Sequence, residues 1–134
     1  NEEVVYTEYN NWKPRNASGE YGGVYSMQGA LSESINSVSV AIIMRAGIEP
    51  VRTLARGMGL EGSIPREPSI ALGTADASLL EMAQAYGTFA NRGRRPTPHY
   101  LDRIETAHGK VIVKFNRPNP NRFPQLLETG HADM

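Results

Sequence analysis

The fold is decided by the stretch Tyr25-Ser-Met-Gln-Gly-Ala-Leu-Ser-Glu-Ser-Ile-Asn-Ser-Val-Ser-Val-Ala-Ile-Ile-Met44. Its apolar residues recur at the intervals that place side chains on one face of a helix. They are Met27, Ala30, Leu31, Ile35, Val38 and Ile42. The middle of the stretch is rich in serine and asparagine, whose side chains compete for backbone hydrogen bonds and weaken a helix interior. The pattern predicts a helix from about Met27, a break near 34–36, and a second helix from about Ser37.

Ser34 and Asn36 lie at this predicted break, and theirs is the one pattern in the chain that suggests a site. Two polar side chains at a buried junction between helices are well placed for chemistry. Such side chains also suit helix capping, and Asn36 or Ser37 is expected to cap the second helix. From this stretch alone capping is the favoured interpretation, and the catalytic one stays open.

The composition is that of an ordinary globular chain of 134 residues, 40% hydrophobic and 21% charged. Fourteen basic residues balance 14 acidic ones, so no charge excess favours nucleic acid or an anionic membrane surface. The absence of cysteine excludes disulfides, thiol nucleophiles and zinc–thiolate sites. No apolar run approaches the roughly 18–20 residues that span a bilayer, so no membrane contact is required of this chain.

No cofactor and no metal are predicted. The three histidines, His99, His108 and His131, fall in a proline-rich loop, a turn and a tail, without the i,i+4 spacing of a metal pair. The chain begins with neither an initiator methionine nor a signal peptide, so we expect it to be cut from a longer protein.

Two further helices are predicted downstream. Glu49-Pro50 opens one of them, because proline near the first helical position supplies a preset φ, and Gly57 and Gly59 end it. The capping box Ser78-Leu-Leu-Glu81 opens the other, the clearest helix in the sequence. One face of this last helix is apolar, with Leu79, Met82, Ala83, Tyr86, Phe89 and Ala90.

The two ends of the chain are predicted to form different elements. Residues 1–9 are predicted to form a short strand before a loop rich in asparagine, glycine and proline. Residues 101–106 and 110–115 alternate apolar and polar residues around a glycine-containing turn, which predicts a β-hairpin. Residues 126–134 are expected to start another helix.

Five short segments follow one another in a characteristic order and spacing. They are Trp12-x-Pro14-x-Asn16 with Gly19-x-Tyr21-x-Gly23, Ala30-Leu31-x-x-Ser34-x-Asn36, Pro68-Ser69-x-Ala71-Leu72-Gly73, Leu80-Glu81-Met82-Ala83-x-Ala85-Tyr86-x-x-Phe89-Ala90-Asn91-x-Gly93, and Arg103-Ile104 with Gly109-Lys110-Val111. Together they resemble the transpeptidase domain of penicillin-binding proteins, especially the bifunctional class A group. A bare Ser-x-Asn carries little weight, but Ser-x-Asn followed by the Leu-Glu-Met-Ala segment is specific.

The resemblance implies an α+β chain, mostly helical with one β-hairpin, that is part of the penicillin-binding protein transpeptidase fold, which is β-lactamase-like. Residues 1–134 would then be a single partial domain, the middle portion of a transpeptidase domain. Within it we expect a lead-in strand and loop over 1–25, a helical part over 26–93 and the hairpin over 100–116.

The resemblance also implies roles for the candidate residues. In that family Ser-x-x-Lys, Ser-x-Asn and Lys-Thr-Gly meet in one cleft. Ser34 and Asn36 match the second motif. The implied catalytic role of Ser34 is a hydroxyl in the proton relay between the lysine and the leaving group. The implied role of Asn36 is to orient that lysine and to bind the acyl-side amide of the substrate.

The chain departs from the family at the other two motifs. None of its serines has lysine three positions later, and none of Lys13, Lys110 and Lys114 is followed by Thr-Gly. The resemblance therefore implies a parent enzyme, a serine-type D-Ala-D-Ala transpeptidase with a glycosyltransferase domain, and a chain that is inactive alone because it lacks the nucleophile. The implied partners are peptidoglycan stem peptides, β-lactams and the segments carrying the missing motifs. The implied location is the outer face of the bacterial cytoplasmic membrane, with the anchor elsewhere.

Two other interpretations remain. A serine β-lactamase or carboxypeptidase relative would share the three-motif cleft. A non-catalytic helical interaction module needs no missing motifs, and it predicts that Asn36 is dispensable for acylation of the parent protein.

Overall fold

A computed structural model describes residues 1–128 and Gly130. In this part of the chain the helices are α1 (Met27–Ser32), α2 (Asn36–Ala46), α3 (Ile48–Met58) and α4 (Leu79–Ala90). The strands are β1 (Arg103–Glu105) and β2 (Val111–Lys114), and two 3-10 turns cover Thr7–Tyr9 and Pro68–Leu72. The chain divides into two compact units, Asn1–Leu54 with Gly62–Ala77 and Ala55–Glu61 with Ser78–Met134.

The break between α1 and α2 lies where the sequence predicts it. Ser26 caps α1, because its Oγ accepts a 3.0 Å hydrogen bond from the Gly29 N–H. The chain then turns at Ser34, whose φ of 54° lies in the left-handed region. Helix α2 follows, with Val40 and Ile43 in the core of the first unit.

The prediction that Asn36 or Ser37 caps α2 is wrong. The capping position is taken by Ile35, which has extended backbone and no side-chain acceptor. Asn36 and Ser37 are already the first two helical residues, so their side chains cannot reach the free N–H groups of the first turn.

Helix α3 follows α2 directly, after Gly47 in the left-handed φ range. Within the first unit it contributes a buried Arg52, whose Nε donates a 2.9 Å hydrogen bond to the Ile64 carbonyl. The same guanidinium donates 2.8 Å bonds to the Glu49 carboxylate, so the buried charge is paired. Arg52 thereby fixes the loop that follows the helix.

In the second unit, the predicted capping box at the start of α4 is confirmed. Ser78 Oγ accepts from the Glu81 N–H, and the Glu81 carboxylate accepts from the Ser78 N–H at 2.7 Å. The six apolar residues predicted on one face of this helix are all exposed. The buried side chains are Gln84, Ala85 and Thr88. Pro96, in the segment after the helix, packs against Gly87 and accepts a hydrogen bond from Gln84 Nε2.

The predicted hairpin is confirmed. Strands β1 and β2 pair antiparallel, with Arg103 opposite Lys114 and Ile104 opposite Val113. Gly109, at a φ of 81°, occupies the turn position that requires a left-handed residue. Every residue of both strands is exposed.

At both ends of the chain the structure departs from the predicted elements. Residues 1–9 do not form a strand, because Tyr6 makes only an isolated bridge to Trp12 around the turn at Thr7–Tyr9. Of the helix predicted over 126–134, residues 126–128 are not helical, because the backbone pairs with Gly93 instead. Gly130 is helical, and the other residues of that prediction, Thr129 and 131–134 with His131, lie outside the described residues.

Candidate functional site

Ser34 lies at the tip of the turn between α1 and α2. It is exposed, and its N–H donates a 3.1 Å bond to the Leu31 carbonyl. Its hydroxyl makes no hydrogen bond to any residue in the described part of the chain. A serine held at positive φ is energetically unfavourable, and such positions cluster at functional sites. Among the described residues, the turn thus fixes the backbone at Ser34 and leaves its hydroxyl unpaired.

Asn36 is the first residue of α2 and is half-buried. Its Nδ2 donates a 2.7 Å hydrogen bond to the Arg15 carbonyl, which belongs to the loop upstream of α1. This bond uses one of the two amide hydrogens and fixes the plane of the carboxamide. One N–H and the carbonyl oxygen Oδ1 stay available, so the group can still donate and accept.

Asn16 holds the same junction from the other side. It is only 5% exposed, and its Oδ1 accepts a 3.1 Å hydrogen bond from the N–H of Ser37. Its Nδ2 donates 2.9 Å bonds to Asn1 Oδ1 and to the Glu20 carbonyl. Asn16 thus supplies the N-terminal cap of α2 that no neighbouring residue provides.

A cavity of about 520 Å³ opens beside Ser34, within the first unit. On one side it is lined by Glu33, Ser34 and Ile35. On the other side lies the loop upstream of α1, and the remaining lining residues are Asn1, Asn16, Ala17, Ser18, Glu20, Tyr21, Gly22, Gly23 and Tyr25. Its volume is in the range of small-molecule sites, about 300–1,000 Å³.

The first unit places no free lysine at this junction. Lys13, its one lysine, pairs with Glu3 and lies 5.8 Å from the centre of the Tyr21 ring. A serine hydroxyl needs a base or acid partner to move a proton during acyl transfer. The turn therefore presents the Ser34 hydroxyl and the Asn36 carboxamide, and the only lysine of the first unit is paired elsewhere.

The part of the chain that the structure describes contains no cluster of three or more His, Cys, Asp or Glu side chains that could hold a metal ion. His99 lies 3.7 Å from the Asp102 carboxylate, a contact of two residues only. Nor does any helix among residues 1–128 combine the length and hydropathy needed to cross a bilayer.

Comparison with known families identifies the chain. A family model described as the penicillin binding protein transpeptidase domain matches residues 2–125. The chain belongs to the penicillin-binding protein transpeptidase family. Penicillin-binding protein 1A of Neisseria meningitidis serogroup B is 37% identical over 105 residues, which cover 78% of this chain and 13% of that protein. Penicillin-binding protein 1A of Pseudomonas aeruginosa is 34% identical over 108 residues, which cover 80% of this chain and 13% of that protein.

Solved structures agree on the fold of this transpeptidase-family chain. The crystal structure of penicillin-binding protein 1A from Haemophilus influenzae matches with a TM-score of 0.69 at 29% identity, over 78% of this chain and 16% of that one. The PonA1 protein from Mycobacterium tuberculosis, solved in complex with penicillin V, matches with a TM-score of 0.72 at 23% identity. That match covers 98% of this chain and 37% of PonA1. The predicted fold class, α+β and part of the penicillin-binding protein transpeptidase fold, is confirmed.

Within this transpeptidase-family segment, the structure brings Ser34 and Asn36 to one turn, two residues apart. The contribution of Arg15 and Asn16 was not predicted from the sequence. Their contacts span 21 residues, and hydrophobic periodicity carries no signal for a polar contact of that range. The segment Trp12-x-Pro14-x-Asn16 is part of the family resemblance, and it is the one sequence feature that points to this loop.

Proposed function

We propose that this chain is the middle portion of a D,D-transpeptidase domain that cross-links peptidoglycan stem peptides through a serine acyl-enzyme and binds penicillin. The observation that carries the proposal is the family match over residues 2–125 together with the unpaired hydroxyl of Ser34 beside the oriented carboxamide of Asn36. The chain spans 13% of the relatives it matches, so the rest of the active site comes from segments that carry Ser-x-x-Lys and Lys-Thr-Gly.

In this proposal Ser34 moves a proton. The serine of Ser-x-x-Lys attacks the carbonyl of the penultimate D-alanine, and its own proton goes to the neighbouring lysine. The bond to the terminal D-alanine then breaks, and the departing nitrogen must gain a proton. A hydroxyl both accepts and donates, so Ser34 passes the proton from the lysine to that amine.

Asn36 orients the groups that react. Its Oδ1 accepts a hydrogen bond from the lysine amine, and its remaining N–H donates to the acyl-side carbonyl of the substrate. The 2.7 Å bond to the Arg15 carbonyl supports this role, because it fixes the carboxamide before substrate binds. No metal or cofactor takes part in this scheme.

The parent protein acts at the outer face of the bacterial cytoplasmic membrane, where peptidoglycan is assembled, and it is anchored by a segment outside this chain. The isolated chain is inactive, since it has neither the nucleophile nor its lysine. Incubation with penicillin, followed by intact-mass analysis, is expected to leave its mass unchanged. A mass increase equal to one penicillin would show that another residue is acylated.

The decisive experiment is labelling of the full-length protein with a fluorescent penicillin. We expect Asn36→Ala to slow acylation on the order of 10²–10³-fold, as for the loss of one preorganised polar group. Ser34→Ala tests the relay, with Ser32→Ala as its control, because the Ser32 hydroxyl bonds only to the α1 backbone. Unchanged acylation in Asn36→Ala and Ser34→Ala would contradict the proposed roles and favour a non-catalytic module.

A further inference from the structure

Two consecutive residues of the upstream loop hold two consecutive residues of α2. The Arg15 carbonyl accepts from Asn36 Nδ2 at 2.7 Å, and Asn16 Oδ1 accepts from the Ser37 N–H at 3.1 Å. Asn16 is 5% exposed, whereas Asn36 is half-buried and Ser34 is exposed. Burial therefore decreases from Asn16 through Asn36 to Ser34.

Every polar atom of the Asn16 side chain is engaged. Nδ2 bonds to Asn1 Oδ1 and to the Glu20 carbonyl, and Oδ1 bonds to the Ser37 N–H. A carboxamide with three partners cannot rotate without breaking a bond in a buried site, which is costly. The position of the Asn16 backbone, and with it the adjacent Arg15 carbonyl, is therefore fixed relative to α2.

A capping residue at position 35 would be a simpler way to cap α2, but this chain does not have one. A serine or asparagine at position 35 would satisfy the free N–H groups of α2 locally. The chain has Ile35 there and takes its cap from a residue 21 positions from Ser37. A long-range cap stabilises the helix start as a local one does, and it also sets the distance between loop and helix.

We propose that Asn16 is a positioning residue of the transpeptidase site: it acts through Asn36, by holding the Arg15 carbonyl where it orients the Asn36 carboxamide. This inference rests on the role proposed above for Asn36. Asn16 does not touch the reacting atoms in this scheme. Without it the Ser37 N–H loses its acceptor, the Arg15 carbonyl shifts, and the Asn36 amide is free to turn away from lysine and substrate.

The test is a double-mutant cycle in the full-length protein, read as the first-order rate constant of acylation by a fluorescent penicillin. The variants are Asn16→Leu, which keeps the size of the side chain but removes all its hydrogen bonds, Asn36→Ala, and the two combined. We expect Asn16→Leu alone to slow acylation on the order of 10–100-fold, as for a displaced catalytic group. In the Asn36→Ala background the same change should slow acylation by less than about twofold, because the group it positions is already gone.

A purely structural role for Asn16 predicts a different result. It would lower the folded fraction and leave the acylation rate constant of the folded protein unchanged, in both backgrounds. Val40→Ala is the matched control, because Val40 is fully buried in the same unit and its truncation lowers stability without touching the turn. If Asn16→Leu does not fold, Asn16→Ala takes its place, since it also removes the acceptor for the Ser37 N–H and the same two outcomes apply.

Each outcome decides between the two proposals. If Asn16→Leu slows acylation equally in both backgrounds, or does not change the rate constant, the positioning role of Asn16 is wrong. The role proposed for Asn36 is not affected by that result. If Asn36→Ala itself acylates at the normal rate, the role proposed for Asn36 is wrong, and the inference about Asn16 falls with it.

Discussion

Gly87 of α4 and Pro96 lie so close that the helix has no room for a side chain at this point. A Cβ built on Gly87 would lie 2.7 Å from Pro96 Cγ, less than real carbon contacts allow. The segment after the helix therefore packs directly on its backbone. This contact helps to explain which face of α4 is buried in the second unit, since the Pro96 carbonyl also accepts a 3.4 Å hydrogen bond from the buried Gln84.

Gly87→Ala is expected to destabilise the protein. Alanine favours a helix over glycine by about 1 kcal/mol, but displacing the rigid proline costs roughly 1–3 kcal/mol, so the steric effect wins. The denaturant midpoint should fall without a change in slope. Gly57→Ala is the control, because its new Cβ would meet only the flexible Leu126 side chain, at 3.0 Å. A higher midpoint for Gly87→Ala than for wild type would refute the packing argument.

Ser78→Ala is expected to lower stability by about 1 kcal/mol, since it removes the acceptor for the Glu81 N–H at the start of α4. Amide hydrogen exchange should accelerate in the first turn of that helix and not in α2. Ser32→Ala serves as the comparison, because it removes only a hydroxyl that bonds back to its own helix. Equal losses for the two variants would mean that the capping box contributes nothing of its own.

The exposed apolar face of α4 predicts that the isolated chain self-associates. Leu79 is 91% exposed and Tyr86 is 67% exposed, and Met82 and Phe89 extend the same face. Apolar patches of this kind are uncommon on monomeric proteins and promote association. Tyr86→Lys should shift the sedimentation velocity profile towards monomer and leave the melting temperature unchanged. Ala85→Lys, at a buried position of the same helix, should instead unfold the second unit.

Asp102 provides a pH-dependent contact near the hairpin. The hydrogen bond from Arg117 Nε, and then the Arg117 charge, hold the pKa of the Asp102 carboxyl below its usual value, and His99 adds to this. A lowered pKa in the folded state means that the contact is present above the unfolded-state pKa and is lost as the pH falls through the lower folded value. Arg117→Gln should raise the pKa of Asp102 in an NMR titration. A titration midpoint that does not move would rule out the Arg117 contact as the cause.

The parts of the fold that could be predicted are those with local causes. The break near residues 34–36 follows from closely spaced serine and asparagine side chains, and the start of α4 follows from Ser78 and Glu81, three positions apart. Both signals act within one helical turn, where residues that are close in sequence are also close in space.

The parts that could not be predicted depend on segments distant in sequence. The apolar periodicity of α4 marks one face correctly, but Pro96 and its neighbours cover the opposite one. Asn36 was expected as a cap because it is a good capping residue, yet Ile35 holds that position and Asn16 supplies the acceptor. At the candidate site, the two motif residues were found from the sequence, and the pair that supports them was found only from the structure.

The cap that Asn16 places on α2 also bears on the order of folding. A helix with a local capping residue can form its first turn without distant contacts. The first turn of α2 gains its cap only when Asn16, 21 residues before Ser37, is brought to it by loop closure. We therefore expect the start of α2 to form together with the loop, later than a locally capped helix such as α4. If the Ser34–Asn36 turn reaches its native geometry only late in folding, substitutions at Asn16 should accelerate unfolding more than they slow folding.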